Sequence, residues 1–103
     1  MNNDNDHLET RIKLKTGFFR KKLYLLLLNN QEIILKQEQK KQPKEFKVKA
    51  SEVKIITIVS EKPPSIEIIT DTESYMGDFI DQDDISEIII LLNQIFDKKF
   101  EYY

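Results

Sequence analysis

The chain has 103 residues, of which 40% are hydrophobic and 33% charged, a balance that suits one small folded domain rather than a disordered segment. It contains no Cys and a single His, which excludes disulfides and Cys-based zinc sites and leaves Ser–His catalysis without a partner for Ser51, Ser60 or Ser65. The net charge of −2 hides a division: residues 1–54 carry 13 Lys/Arg against 7 Asp/Glu, a net of +6, and residues 55–103 carry 3 against 11, a net of −8.

Residues 1–9 are expected to be a flexible acidic tail, with His7 solvated in it, and residues 10–103 to be the domain. The start has neither the basic region nor the apolar stretch of a secretory or transit peptide. Asn2 and the lack of a C-terminal Cys box argue against myristoyl and prenyl anchors. The longest apolar runs, Leu23–Leu28 and Ile88–Leu92, fall short of the ~18 residues of a membrane span. The expected place is the cytoplasm, free or at the periphery of a membrane or assembly.

Thr10–Lys15 alternates, with Ile12 and Leu14 on one face and Arg11, Lys13 and Lys15 on the other, which predicts a half-buried strand. Gly17 marks a turn. Arg20–Leu28 follows as a strand whose two faces, Leu23/Leu25/Leu27 and Tyr24/Leu26/Leu28, are both apolar. Asn29-Asn30 supplies a tight turn, since Asn tolerates positive φ. Gln31–Lys36 returns as a strand, and Gln37–Lys44 is an exposed loop near Pro43. Phe46, Val48 and Ala50 open another alternating run. Val53–Val59 is rich in β-branched residues, and a Pro63-Pro64 loop separates it from a strand at Ser65–Thr70. Ser74–Ile80 is a last short strand, bent at Gly77-Asp78.

The period then changes. Asp84 and Glu87 have the spacing of a capping box. Ile85, Ile88, Ile89, Leu92, Ile95 and Phe96 form a helical stripe, so a helix is predicted over Ile85–Phe100. Asp83 and Asp84 suit its N-terminal end, Lys98 and Lys99 its C-terminal end. The same logic explains Asp81, Asp83 and Asp84 better than a metal site, which would need different spacing. The expectation is an α+β domain: a curled antiparallel sheet or barrel of six to seven strands, capped by one C-terminal amphipathic helix.

Strands in meander order, a basic first hairpin and one terminal helix resemble the pleckstrin-homology (PH) superfamily over about Ile12–Phe96. The hairpin Lys15-Thr-Gly-Phe-Phe-Arg-Lys-Lys-Leu-Tyr-Leu-Leu-Leu is similar to that of the PH domain of phosphoinositide-dependent protein kinase. Val48–Ser60, Gly77-Asp78 and Glu87 resemble the PH-like tail domain of class I myosins. The resemblance implies a clamp for inositol phosphates at Lys15, Arg20 and Lys22.

The residues support an anion site on their own terms. Arg20 and Lys22 are two apart and are expected to share a face, as are Lys13 and Lys15 on the neighbouring strand. A hairpin brings these cations together, and phosphate oxygens reward such convergence with charge-assisted hydrogen bonds. Lys21 is expected at the rim. At least one of Phe18 and Phe19 is expected in the core, and the terminal Tyr102-Tyr103 is expected to pack back on the sheet.

The function expected is a binding module with no enzymatic activity and no cofactor or metal. Its targets are anionic lipid headgroups, phosphoinositides foremost, or an acidic protein surface. A small subunit of a larger protein assembly, docking through an edge strand or the Leu26/Leu28 face, is the alternative. An oligonucleotide-binding barrel, with Phe18, Phe19 and Tyr24 stacking on bases, is disfavoured by the negative net charge and the strand count, and nucleic acid is not the expected partner.

Overall fold

A computed structural model describes residues 7–38 and 41–103. Among the described residues it contains eight strands and one α-helix. The strands are β1 (His7–Lys15), β2 (Lys21–Asn29), β3 (Glu32–Gln37), β4 (Glu45–Lys49), β5 (Val53–Val59), β6 (Ser65–Thr70), β7 (Ser74–Phe79) and β8 (Phe100–Tyr102), and the helix is α1 (Ile85–Phe96). One continuous sheet runs in the order β4-β3-β2-β1-β7-β6-β5-β8. All neighbours are antiparallel except β5 and β8. The β1–β7 pairing, through Ile12↔Phe79, Lys13↔Asp78 and Leu14↔Gly77, joins the two halves of the meander.

The core is aliphatic, and the period-2 pattern supplies most of it. Ile12 and Leu14 of β1, Tyr24, Leu26 and Leu28 of β2, and Ile33 and Leu35 of β3 face inward, against Ile56, Ile58, Ile66, Ile68 and Phe79 from the second half. Ile88, Leu91, Leu92 and Phe96 of α1 complete it. Leu26 and Leu28 are therefore core residues, 0% and 1% exposed, and not the docking face the sequence suggested. Leu23, Leu25 and Leu27 on the other side are partly covered.

Gly77 lets β7 approach β1 closely. A Cβ there would lie 2.9 Å from Ile12 Cδ1 and 3.1 Å from the Lys13 carbonyl oxygen. No side chain fits without moving one of them.

Several local expectations are corrected. Of the expected 1–9 tail, residues 1–6 lie outside the described residues, while His7, Leu8 and Glu9 belong to β1 and pair with Asn29, Leu28 and Leu27. Residues 39–40 of the expected Gln37–Lys44 loop also lie outside them. The Asn29-Asn30 turn does not use positive φ, since Asp97 is the one such non-glycine residue among those described. Instead the Asn29 carboxamide oxygen accepts hydrogen bonds from the Gln31 and Glu32 backbone N–H groups at 2.8 and 2.9 Å, an Asx-type turn.

The helix also ends early. Asp97 adopts φ 50° at its C-terminal boundary. The chain then passes through one 3-10 turn, Asp97–Lys99, into β8, which pairs parallel to β5 through Ile56↔Phe100, Thr57↔Glu101 and Ile58↔Tyr102. Phe100 was the last position of the predicted helix; it is a buried strand residue instead. The capping box is not formed. Asp84 makes no side-chain cap and is the last residue of a 3-10 turn, Gln82–Asp84. Its carboxylate accepts a 2.8 Å hydrogen bond from the Thr10 hydroxyl.

Candidate functional site

The first hairpin places the basic residues. Lys15 and Lys21 form its last rung, directly opposite each other, and Lys13 lies opposite Leu23. On its other flank Lys13 lies opposite Asp78 of β7. These side chains all stand on the outer face of the sheet, because their neighbours Ile12, Leu14 and Gly77 face the core. Beyond the last rung, the Thr16 N–H donates to the Arg20 carbonyl at 3.0 Å and closes a short turn.

Lys13, Lys15, Arg20 and Lys21 thus line one open cleft of about 720 Å³, floored by Leu23, Met76 and Gly77 and walled by Phe18, Phe19 and Asp78. That size is in the range that accommodates a small ligand. Four of the five expected cations meet there. Lys22 does not: it lies opposite the buried Leu14 and so belongs to the core-facing side of β2, exposed where that side opens to water. Lys21 takes the position on the outer face that was expected of Lys22. The reason is the alternation of β2: Lys22 shares the side that buries Tyr24, Leu26 and Leu28, so Lys21 turns outward, while Arg20 lies in the turn before the strand.

The cleft also holds an anion of its own. Lys21 Nζ pairs with Asp78 Oδ2 across β1, with Asp78 the more buried partner. The Gly77-Asp78 bend is visible in the sequence, but only the β1–β7 register brings this carboxylate among the lysines. Arg11, two residues before Lys13 on the same face of β1, instead pairs with Asp81 at 3.5 Å.

Phe18 and Phe19 overturn the expectation that one of them is core. They are 89% and 97% exposed, with ring centroids 5.7 Å apart. The turn carries them past the ends of both strands, where no element covers them. Burying a phenylalanine is worth about 1.5–3 kcal/mol, so two adjacent uncovered rings are a surface that gains by being covered. Tyr102 and Tyr103 are likewise exposed, at 53% and 68%. Tyr103 is held by its backbone, its N–H donating to the Ile58 carbonyl at 2.9 Å.

Elsewhere, an aromatic row of Tyr24, Phe46 and Tyr75 crosses from β2 through β4 to β7. Burial pushes the phenols of Tyr24 and Tyr75 up, and the charges of Glu73 and Glu52 add to the effect at Tyr75. Tyr103 is raised by its hydrogen bond to the Glu101 carboxylate.

No family model matches the chain, and no curated protein matches it by sequence. Solved structures do. One is the Spt16D–Pob3N heterodimer, similar with a TM-score of 0.72 and 12% identity over 93% of this chain. This chain spans only about half, 53%, of that one. Another is the N-terminal PH domain of the human protein ARAP2, with a TM-score of 0.72 and 8% identity over 95% of this chain and 85% of that domain. At such identities the likeness speaks to architecture. The curled eight-stranded sheet closed by a single helix near its C-terminus is a pleckstrin-homology-like fold.

Proposed function

We propose that this protein is a non-catalytic binding module that docks onto anionic lipid headgroups, phosphoinositides foremost, through the outer face of its first hairpin. The observation that carries this reading is the gathering of Lys13, Lys15, Arg20 and Lys21 around one cleft. Arg20 offers a guanidinium fork and the lysines offer point charges, the combination that suits phosphate oxygens. The PH-like fold supports a binding role in general. Such a module works at the cytoplasmic surface of a membrane, and among the described residues no helix is long and apolar enough to cross one.

The test is co-sedimentation with anionic vesicles. Binding falls in Lys15→Ala and in Arg20→Ala, and falls again as salt is raised, because exposed charges are screened over about 10 Å at 0.1 M ionic strength. Unchanged binding in both variants would remove the reading.

A second reading, a subunit of a larger protein assembly, is favoured by the exposed Ile90 on α1 and by the exposed terminal tyrosines. The similar Spt16D–Pob3N structure is itself a heterodimer. A monomer on sizing, with no protein co-purifying, argues against it. An oligonucleotide-binding barrel is not retained: the described residues form eight strands rather than five.

A further inference from the structure

Helix α1 and strand β8 are joined by three residues, Asp97–Lys99. Asp97 sits at φ 50° and ψ −109°, a backbone region that glycine enters freely and aspartate only at a cost. Yet the Asp97 N–H still donates to the Asn93 carbonyl, as it would inside a helix. Phe96, Phe100 and Tyr103 continue the helical spacing of α1. Local preference therefore runs α1 onward, and pairing with β5 bends the chain against it.

β8 is held along one side. It stands at the edge of the sheet, beside β5. The Tyr103 N–H donates to the Ile58 carbonyl, the Ser60 N–H donates to the Tyr103 carbonyl, and Phe100 is buried beside Ile56. When β8 lifts away, Asp97 is free to take helical angles and the other seven strands keep their pairings. An open β5 edge and an uncovered apolar site remain, and unpaired edges recruit strands. The strand that fits that register is the β8 of a second copy, because an identical sequence makes identical contacts.

We propose that β8 is exchanged between two copies of this chain. Each lays its own Phe100–Tyr102 along β5 of the other, with Asp97–Lys99 straightened into a longer α1. The exchange keeps the β5–β8 contacts, relieves the hinge in both copies and closes as a two-fold pair. Its cost is bringing two chains together, so it depends on protein concentration. It uses none of the hairpin cations and stands apart from the lipid-binding reading.

The experiment uses the full chain, which has no Cys of its own. The chain is concentrated to the millimolar range in mild urea, returned to buffer and separated by size. A dimer forms that dissociates slowly on dilution, since each β8 must detach first. Asp97→Gly fits the closed hinge without strain and lowers the association constant about tenfold or more. Thr57 and Glu101 are directly paired and lie off the core, so Thr57→Cys/Glu101→Cys places one thiol on each strand. After oxidation the dimer is linked between chains and the monomer within its chain, read on non-reducing gels; the internal link of the monomer verifies the geometry.

A chain that stays monomeric throughout, a dimer whose links all lie within single chains, or an Asp97→Gly variant that dimerises as well as its parent each overturns the inference. Sizing and the Asp97→Gly comparison are made without added cysteines, so they decide the matter even where the thiol pair disturbs β8.

Discussion

Lys15 and Lys21 stand directly opposite each other on the last rung of the β1–β2 hairpin. Like charges so placed destabilise an antiparallel pair, and opposite charges stabilise it by about 0.2–1 kcal/mol. Lys15→Glu is therefore expected to raise stability by about 0.5 kcal/mol in urea denaturation, while sharply lowering sedimentation with anionic vesicles. A gain in stability with a loss of binding marks a residue kept for its ligand. A variant that loses both would show that Lys15 serves the fold.

The Thr10 hydroxyl ties β1 to the start of α1 through Asp84. Thr10 is only 4% exposed, so Thr10→Val keeps the shape and leaves the Asp84 carboxylate without its donor. The expected cost is about 1–3 kcal/mol, read as a lower urea midpoint. An unchanged midpoint would mean that water replaces the hydroxyl without loss.

Gly77 has no room for a methyl group on its core side. Gly77→Ala is expected to cost about 1–3 kcal/mol by overpacking. Ile12→Val removes the Cδ1 atom in the way. The double variant is therefore expected to lose less than the sum of the two single losses, the coupling signature of direct contact. Strict additivity would place the strain at the Lys13 carbonyl instead.

Asp97 bears positive φ where the helix turns into β8. That backbone region favours glycine, and a non-glycine residue held there costs about 1–3 kcal/mol. Part of this is offset by the greater unfolded freedom of glycine. Asp97→Gly is expected to stabilise the protein by about 1 kcal/mol, raising the melting temperature. A lower melting temperature would indicate that the Asp97 side chain itself supports the turn.

Burial raises the Tyr24 phenol above its ordinary value of 10.0. The folded state thus prefers the neutral phenol. The stability this contributes is fully present below pH 10 and is lost as pH rises through the higher folded value. Tyr24→Phe is expected to stay folded to higher pH, followed by circular dichroism in an alkaline titration. Tyr75, raised by burial and then by Glu73 and Glu52, keeps a smaller alkaline dependence in that variant.

Much of the fold is legible in local pattern. Alternation at Ile12/Leu14 and at Ile66/Ile68 marks inward faces, and each of those side chains is buried. The helical stripe at Ile88, Leu92 and Phe96 is equally plain, and these residues do form the covered side of α1. Local pattern does not reach a residue whose deciding neighbour is distant in the chain. Phe100 continues the helical spacing from Phe96, yet its place beside Ile56 in β5 decides its state. The acid at Asp84 has the spacing of a cap, but Thr10 draws it away.

The candidate site divides in the same manner. That a basic hairpin exists, with Lys13 and Lys15 on one face, is written in the sequence. Which later cations join them depends on the β1–β2 register, which sets Lys21 opposite Lys15 on the outer face and Lys22 opposite the buried Leu14. The entry of Asp78 into the cleft depends on the β1–β7 pairing.

Period and charge, read along the chain, were enough to determine strands, a terminal helix and a basic first hairpin, because each depends on residues a few positions apart. Register, the closing strand β8 and the placement of Phe18 and Phe19 in water were decided only in three dimensions. They depend on which distant backbone offers hydrogen bonds, and on whether any other element reaches far enough to cover a side chain.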